Sequence, residues 1–192
     1  MNTILACGFS RWSPGIGDNH PMGWLTVALY LLAAVACAIA ASRGTFPART
    51  SSRERLFWWF AAGVLMLLAI NKQLDLQSLL TSVARCLAMN QGWYEDRRAV
   101  QVRFVGVVAA VGVLGIVALG LVLRNTFART GLAVAGLGFV CVFVAIRAAS
   151  FHHVDTLIDG RLFGLRLNWL LEMPGPLIVL VAAIRQSRSR VA

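Results

Sequence analysis

From Trp24 to Ala41 the chain carries no charged side chain, and stretches of the same kind recur at 56–70, 104–123, 131–146 and 173–184. This repetition constrains the fold more than any motif does. In a bilayer core no water is present to satisfy backbone polar groups, so runs of this length and character can persist only as helices that bond within themselves. A helix needs about 20 apolar residues to cross that core. With 58% of its 192 residues hydrophobic and only 14% charged, the chain lies far from soluble composition. The lipid bilayer is therefore its first expected partner. A net charge of +10 raises nucleic acid as another. That class is excluded because the arginines are scattered singly between apolar runs, without the interleaved aromatics of a nucleic-acid surface.

Five spanning helices are expected, at about 24–42, 55–73, 103–123, 131–149 and 167–185, in a single transmembrane domain over 1–192. The second apolar run, Leu56 to Ile70, is too short to span alone and draws Asn71, Lys72 and Gln73 to the edge of the core. After it, Leu76, Leu79, Leu80, Val83 and Leu87 recur at helical spacing while Asp75, Gln77, Ser82 and Arg85 lie mostly off that stripe. This pattern predicts an amphipathic helix over about 74–89 lying at the membrane surface. In the last segment Pro174 and Pro176 are expected to kink or loosen the helix just past Glu172. The density of breakers in Cys7 to Trp24 (Pro14, Gly15, Gly17, Asp18, Pro21 and Gly23) predicts a loop or tail there, within a leader over Met1 to Gly23. The fold class expected is all-α, a polytopic helical bundle with one interfacial helix.

Charge orients this bundle. The connection after the first span, the turn after the third and the C-terminal tail together hold nine arginines and one acid, Glu54; the opposite side holds nine basic residues and seven acids, and all three histidines. Positively charged loops stay in the cytoplasm. The expected location is a bacterial-type cytoplasmic (inner) membrane, with the N-terminus outside and the C-terminus inside. Trp24, Trp93 and Trp169 read as an outer aromatic belt, and Trp58 and Trp59 as an inner one. Cys7 and Cys86 both fall outside, where a disulfide could form. Cys37 and Cys141 fall mid-membrane, and no CxxC pair supports a zinc ribbon or redox motif.

Two constellations are candidates for chemistry. The first lies at the depth of the outer leaflet and brings Asn71, Lys72 and Asp75 near Arg147, Asn168 and Glu172. Charge at that depth is costly unless paired or wetted, so the group is either a salt-bridged pin between helices or a site for a lipid headgroup or ion. The second is Ser150, His152, His153, Asp155 and Asp159. If the fourth helix continues past the membrane, His152, Asp155 and Asp159 share a face at i, i+3 and i+7 and could present an imidazole and two carboxylates to one divalent metal ion. Asp18 and His20 are candidates to complete such a site. The metal-free alternative pairs a histidine with aspartate as general base toward water or Ser150; in either case Glu172 could serve as a second carboxylate.

The run Ser150-Phe-His152-His153-Val-Asp155 resembles the Ser, His and Asp residues of the membrane metal-hydrolase group that includes alkaline ceramidases and the progestin and adiponectin receptors. That group has seven helices and completes its zinc site with a later histidine pair. Here the resemblance covers fewer than ten residues and no histidine follows His153.

Two functions from different classes are expected. The first is an accessory or assembly subunit of a membrane complex, whose outer His/Asp/Arg polar cluster docks a partner or a lipid headgroup; small-residue helix faces, such as Gly106, Ala109, Gly112 and Gly115, could also meet a partner helix. The alternative is a membrane-embedded hydrolase, metal- or His/Asp-dependent, acting on a lipid-linked substrate at the outer leaflet. A proton- or ion-coupled carrier using Lys72, Asp75 and Glu172 is a third class, disfavoured by the odd helix number and the lack of an inverted repeat.

Overall fold

The protein is described from a computed structural model that covers residues 2–12, 19–74, 76–149, 161–162 and 165–189. Among the described residues its α-helices are α1 (Asn2–Arg11), α2 (Pro21–Arg43), α3 (Ser51–Leu74), α4 (Leu76–Asn90), α5 (Arg97–Leu123), α6 (Phe127–Ala149), α7 (Leu167–Glu172) and α8 (Pro174–Arg188). They are accompanied by a two-residue antiparallel ladder, Arg161–Leu162 against Leu165–Arg166. Four stretches are long and apolar enough to cross a membrane: Pro21–Arg43, Ser51–Leu74, Phe127–Ala145 and Leu167–Arg188. That is the signature of a multi-pass membrane protein, and it explains why Leu32, Leu56 and Leu67 face outward from the bundle.

The core is made from stripes of small side chains. On α2 Ala33, Ala34, Cys37, Ala40 and Ala41 are buried at helical spacing, and on α3 Phe57, Trp58, Ala61, Ala62, Leu65 and Ala69 follow the same rule. Small residues on α2 let α3 and α8 close on it from two sides, and α6 packs on the far side of α8. Gly136 of α6 and Gly175 of α8 mark the tightest crossing. A Cβ on Gly136 would lie 2.9 Å from the Gly175 carbonyl oxygen and from methyls of Ile178 and Val179, and one on Gly175 would run into Val140.

Helix ends follow from local chemistry. Pro21 opens α2 where no backbone N–H is required, and the His20 Nδ1 accepts from the Met22 N–H at 3.2 Å as the N-cap. At the end of α4, Gly92 adopts φ 74°, and the Trp93 N–H reaches back to the Ala88 carbonyl at 3.1 Å, a left-handed stop that favours glycine. Between α7 and α8 the break falls at Met173, directly before Pro174.

Two expectations need correction. Cys7 to Arg11 is helical, not loop or tail: Pro14, Gly15 and Gly17 all lie beyond Arg11, so they end a helix instead of preventing one. α4 supports α1 directly; a Cβ on Gly8 would sit 2.5 Å from a Val83 methyl, and Cys7 is disulfide-bonded to Cys86 with Cα atoms 6.1 Å apart. Trp169 and Trp58 are not belt residues, since they are 3% and 0% exposed. Helix rotation turns them inward, while Trp24 and Trp59 remain exposed. Cys141 is exposed on α6, whereas Cys37 is buried in the core.

α5 stands apart from the rest. Among the described residues its buried contacts are confined to the last turns, where Leu119 and Leu123 meet the core. Val102, Val107, Val111, Val113, Leu114, Ile116 and Val117 are exposed. With 27 residues it extends about 40 Å at the usual rise, and most of that length is not covered by the other described residues.

Candidate functional site

Charged side chains enter the bundle at its two ends, called here the Arg129 end and the Lys72 end. At the Arg129 end, α3 begins at Ser51, so Glu54 lies inside the helix on the same face as Phe57, Trp58 and Ala61. It is fully buried. Arg129 of α6 meets it with two hydrogen bonds, Nη2 to Oε1 at 2.6 Å and Nε to Oε2 at 3.0 Å, and the Thr50 hydroxyl donates to Oε1 at 2.7 Å. The planar guanidinium fork matches the carboxylate, which makes this the more directional kind of ion pair. Beside it Arg55 caps α2: Nη1 donates to the Ala41 and Ser42 carbonyls at 2.9 and 3.3 Å, and its guanidinium lies 5.4 Å from the Phe46 ring centre. Thr45 bonds to the Ser189 carbonyl at 2.7 Å, and Gln186 donates to the Thr45 carbonyl at 3.3 Å. These links tie α2, α3, α6 and α8 together at one end. Sequence reasoning missed them by treating Glu54 as a loop acid. The available signal was Thr50 placed four residues before Glu54, a spacing that brings both side chains onto one helical face.

At the Lys72 end, the last turn of α3 carries Lys72 toward α7. Its Nζ donates to Glu172 Oε2 at 2.7 Å, and the two side chains are 7% and 4% exposed. The Tyr30 hydroxyl of α2 donates to Glu172 Oε1 at 3.4 Å, a long contact. One helical turn before Glu172, Asn168 buries its Oδ1 with no hydrogen-bond partner; next to Lys72, Gln73 buries both Oε1 and Nε2 in the same condition. Above them the His20 ring stacks on Trp169 with centres 4.5 Å apart, and the Arg166 guanidinium lies 5.6 Å from the Trp169 ring centre. Buried polar atoms are nearly always satisfied, so three orphans within a turn of an ion pair mark a place built for something besides the pair.

The members of the first constellation separate as follows. Lys72 and Glu172 come together, and Asn168 shares their helix turn. Asn71 is half-buried in the last turn of α3. Arg147 has its backbone in the last turn of α6. Asp75, the side chain of Arg147, and all of Ser150, His152, His153, Asp155 and Asp159 lie outside the described residues, as does Asp18. His20, considered as a ligand to complete a metal site, instead caps α2 and stacks on Trp169. Among the described residues no three His, Cys, Asp or Glu side chains gather as a metal site would require. Glu172, considered as a second carboxylate, has the Lys72 ammonium beside it. No family model matches the chain, and no curated protein or solved structure matches it either.

Proposed function

We propose that this protein is a non-enzymatic subunit of a membrane complex, and that α5 is the helix it offers to its partner. The observation that carries this reading is the contrast between two sets of glycines. Where helices of this chain pack closely, at Gly136 and Gly175, an added Cβ would collide with the neighbouring helix. At Gly106, Gly112 and Gly115 it would meet nothing within 4 Å. Small residues at this spacing allow close backbone approach between membrane helices, as Gly136 and Gly175 do inside the bundle, although Gly63 and Gly138 there also face open space. The partner expected is therefore another apolar helix with small residues of its own.

In this reading α5 is a fifth span, and the N-terminus lies outside a bacterial-type inner membrane with the C-terminus inside. The arginine asymmetry supports that orientation. So does the Cys7 to Cys86 bond, because disulfides persist on the oxidising side of such a membrane. α1 and α4, joined by that bond, form a surface layer whose exposed Leu5, Phe9, Leu80 and Met89 rest on the outer leaflet. The hydrolase alternative rests on Ser150 to Asp159, for which no structural observation speaks.

The test is a photo-crosslinking amino acid placed at Gly112 or Gly115 in cells, with Leu32 on the outward face of α2 as the control position. A discrete protein adduct at the α5 positions, absent at Leu32 and lost when Gly106 is also changed to Leu, is the expected result. Lipid adducts alone at all three positions would defeat the proposal.

A further inference from the structure

The Lys72 end gathers buried oxygens around one ion pair, together with one unpartnered donor, the Gln73 Nε2. Glu172 brings two carboxylate oxygens, and the Oδ1 of Asn168 and the Oε1 of Gln73 are buried without partners. The helix break adds backbone oxygens. Pro174 and Pro176 have no N–H, so the carbonyls of Leu170 and Glu172 lose the donors four residues ahead that a continuous helix would supply. Met173 is bonded on both sides, its N–H to the Trp169 carbonyl at 3.1 Å and its carbonyl to the Leu177 N–H at 3.2 Å, and neither bond relieves those two carbonyls. Non-helical backbone at membrane depth is tolerated where it lines a cavity or an ion site.

We infer that the Lys72 ammonium is a tethered occupant of a site for a small monovalent cation. The site is built from Glu172, Asn168, Gln73 and the carbonyls freed by the two prolines. A free cation entering from this end competes with Lys72 for Glu172. A monovalent ion fits better than a divalent one, because the described residues supply a single carboxylate and neutral oxygens, whereas calcium-type sites gather several anionic ligands. Among the described residues the Lys72 and Glu172 charges cancel, and a monovalent ion restores that balance once the ammonium has swung toward water. Lys72 stands in the last turn of α3, two residues before the helix ends at Leu74, where its long stem can reach outward. Loss of the Lys72 to Glu172 bond would also release α7 from α3, and α7 is joined to α8 only through the break at Met173. This inference is independent of the α5 docking reading.

Lys72 is the only lysine in the chain, so amine-reactive labelling reports on this site and on the N-terminal amine alone. The intact protein in detergent is acylated with an amine-reactive ester in sodium, potassium or choline chloride at equal ionic strength, and Lys72 and the N-terminus are quantified by mass spectrometry. Sodium or potassium is expected to raise the Lys72 rate saturably, by about tenfold over choline if the bound form predominates, with the N-terminal rate unchanged. In Glu172→Gln the rate should be high in all three salts. Equal wild-type rates in the three salts overturn the inference. If Lys72 is labelled in none of them, Lys72→Met decides: a melting temperature that rises saturably with sodium or potassium but not choline, and no longer does so in Lys72→Met/Glu172→Gln, supports the site, and a flat response overturns it.

Discussion

Removing either partner of the Glu54 to Arg129 pair should destabilise the protein, but by unequal amounts. The pair is asymmetric: the Glu54 side chain is wholly buried and the Arg129 side chain keeps 34% of its surface exposed. Arg129→Met strands a carboxylate that has no water contact and retains only the Thr50 hydroxyl, and breaking a buried pair in that way costs about 3 to 5 kcal/mol. Glu54→Leu strands a guanidinium that can turn toward solvent. Its lost pairing is screened to about 1 kcal/mol or less, with about 1 kcal/mol more for the hydrogen bond that Thr50 loses. The difference is about 2 kcal/mol, or roughly 30-fold in the unfolding equilibrium constant. Glu54→Leu/Arg129→Met should lie near Glu54→Leu, because the second change then removes no buried partner. Reversible unfolding in mixed micelles with increasing denaturing detergent measures all three. If Glu54→Leu proves as destabilising as Arg129→Met, the argument from unequal burial is wrong.

The same unfolding assay separates the two sets of glycines. Gly136→Val should cost about 1 to 3 kcal/mol by overpacking against Gly175, Ile178 and Val179, whereas Gly112→Val should stay within about 0.5 kcal/mol. Arg55→Ala uncovers the last carbonyls of α2 and should cost about 1 kcal/mol, while Arg53→Ala, with no such bond described, should cost little. Cys7→Ser should leave the four-helix core intact and yet expose α1, so that trypsin cleaves after Arg11 far faster than in the wild type; unchanged cleavage would mean that packing on Val83 alone holds α1 in place.

Much of the fold is legible in the sequence because bilayer physics acts on long windows. Four of the apolar runs announce helices without any motif, and Pro174 and Pro176 locate the break after Glu172 because neither can donate a backbone hydrogen bond. The pairing of Lys72 with Glu172 is legible for a related reason: two opposite charges drawn to one membrane depth must find each other or water. What escapes the sequence depends on helix rotation and on where a helix starts. Trp58 and Trp59 are neighbours, one buried and the other exposed, and composition cannot tell them apart. Glu54 reads as solvated among four arginines until α3 is seen to begin at Ser51, which turns it toward α6. The Cys7 to Cys86 bond could be named from the sequence because both cysteines fall on one side, but the helix that carries Cys7 was hidden by the breakers just beyond Arg11.

The disulfide also has a bearing on the order in which the chain is assembled. Its two halves are 79 residues apart, and between them lie α2 and α3. In the proposed orientation neither thiol can meet the other until the N-terminal tail has been exported and the α2 and α3 hairpin has been threaded through the bilayer. Only then does Cys86 emerge on the same side as Cys7. Closure of the ring therefore certifies a correctly inserted hairpin while α5, α6 and α8 are still to be made. A nascent chain released after Gly92 should already carry the crosslink, and one inserted the wrong way round would keep both thiols in the reducing compartment.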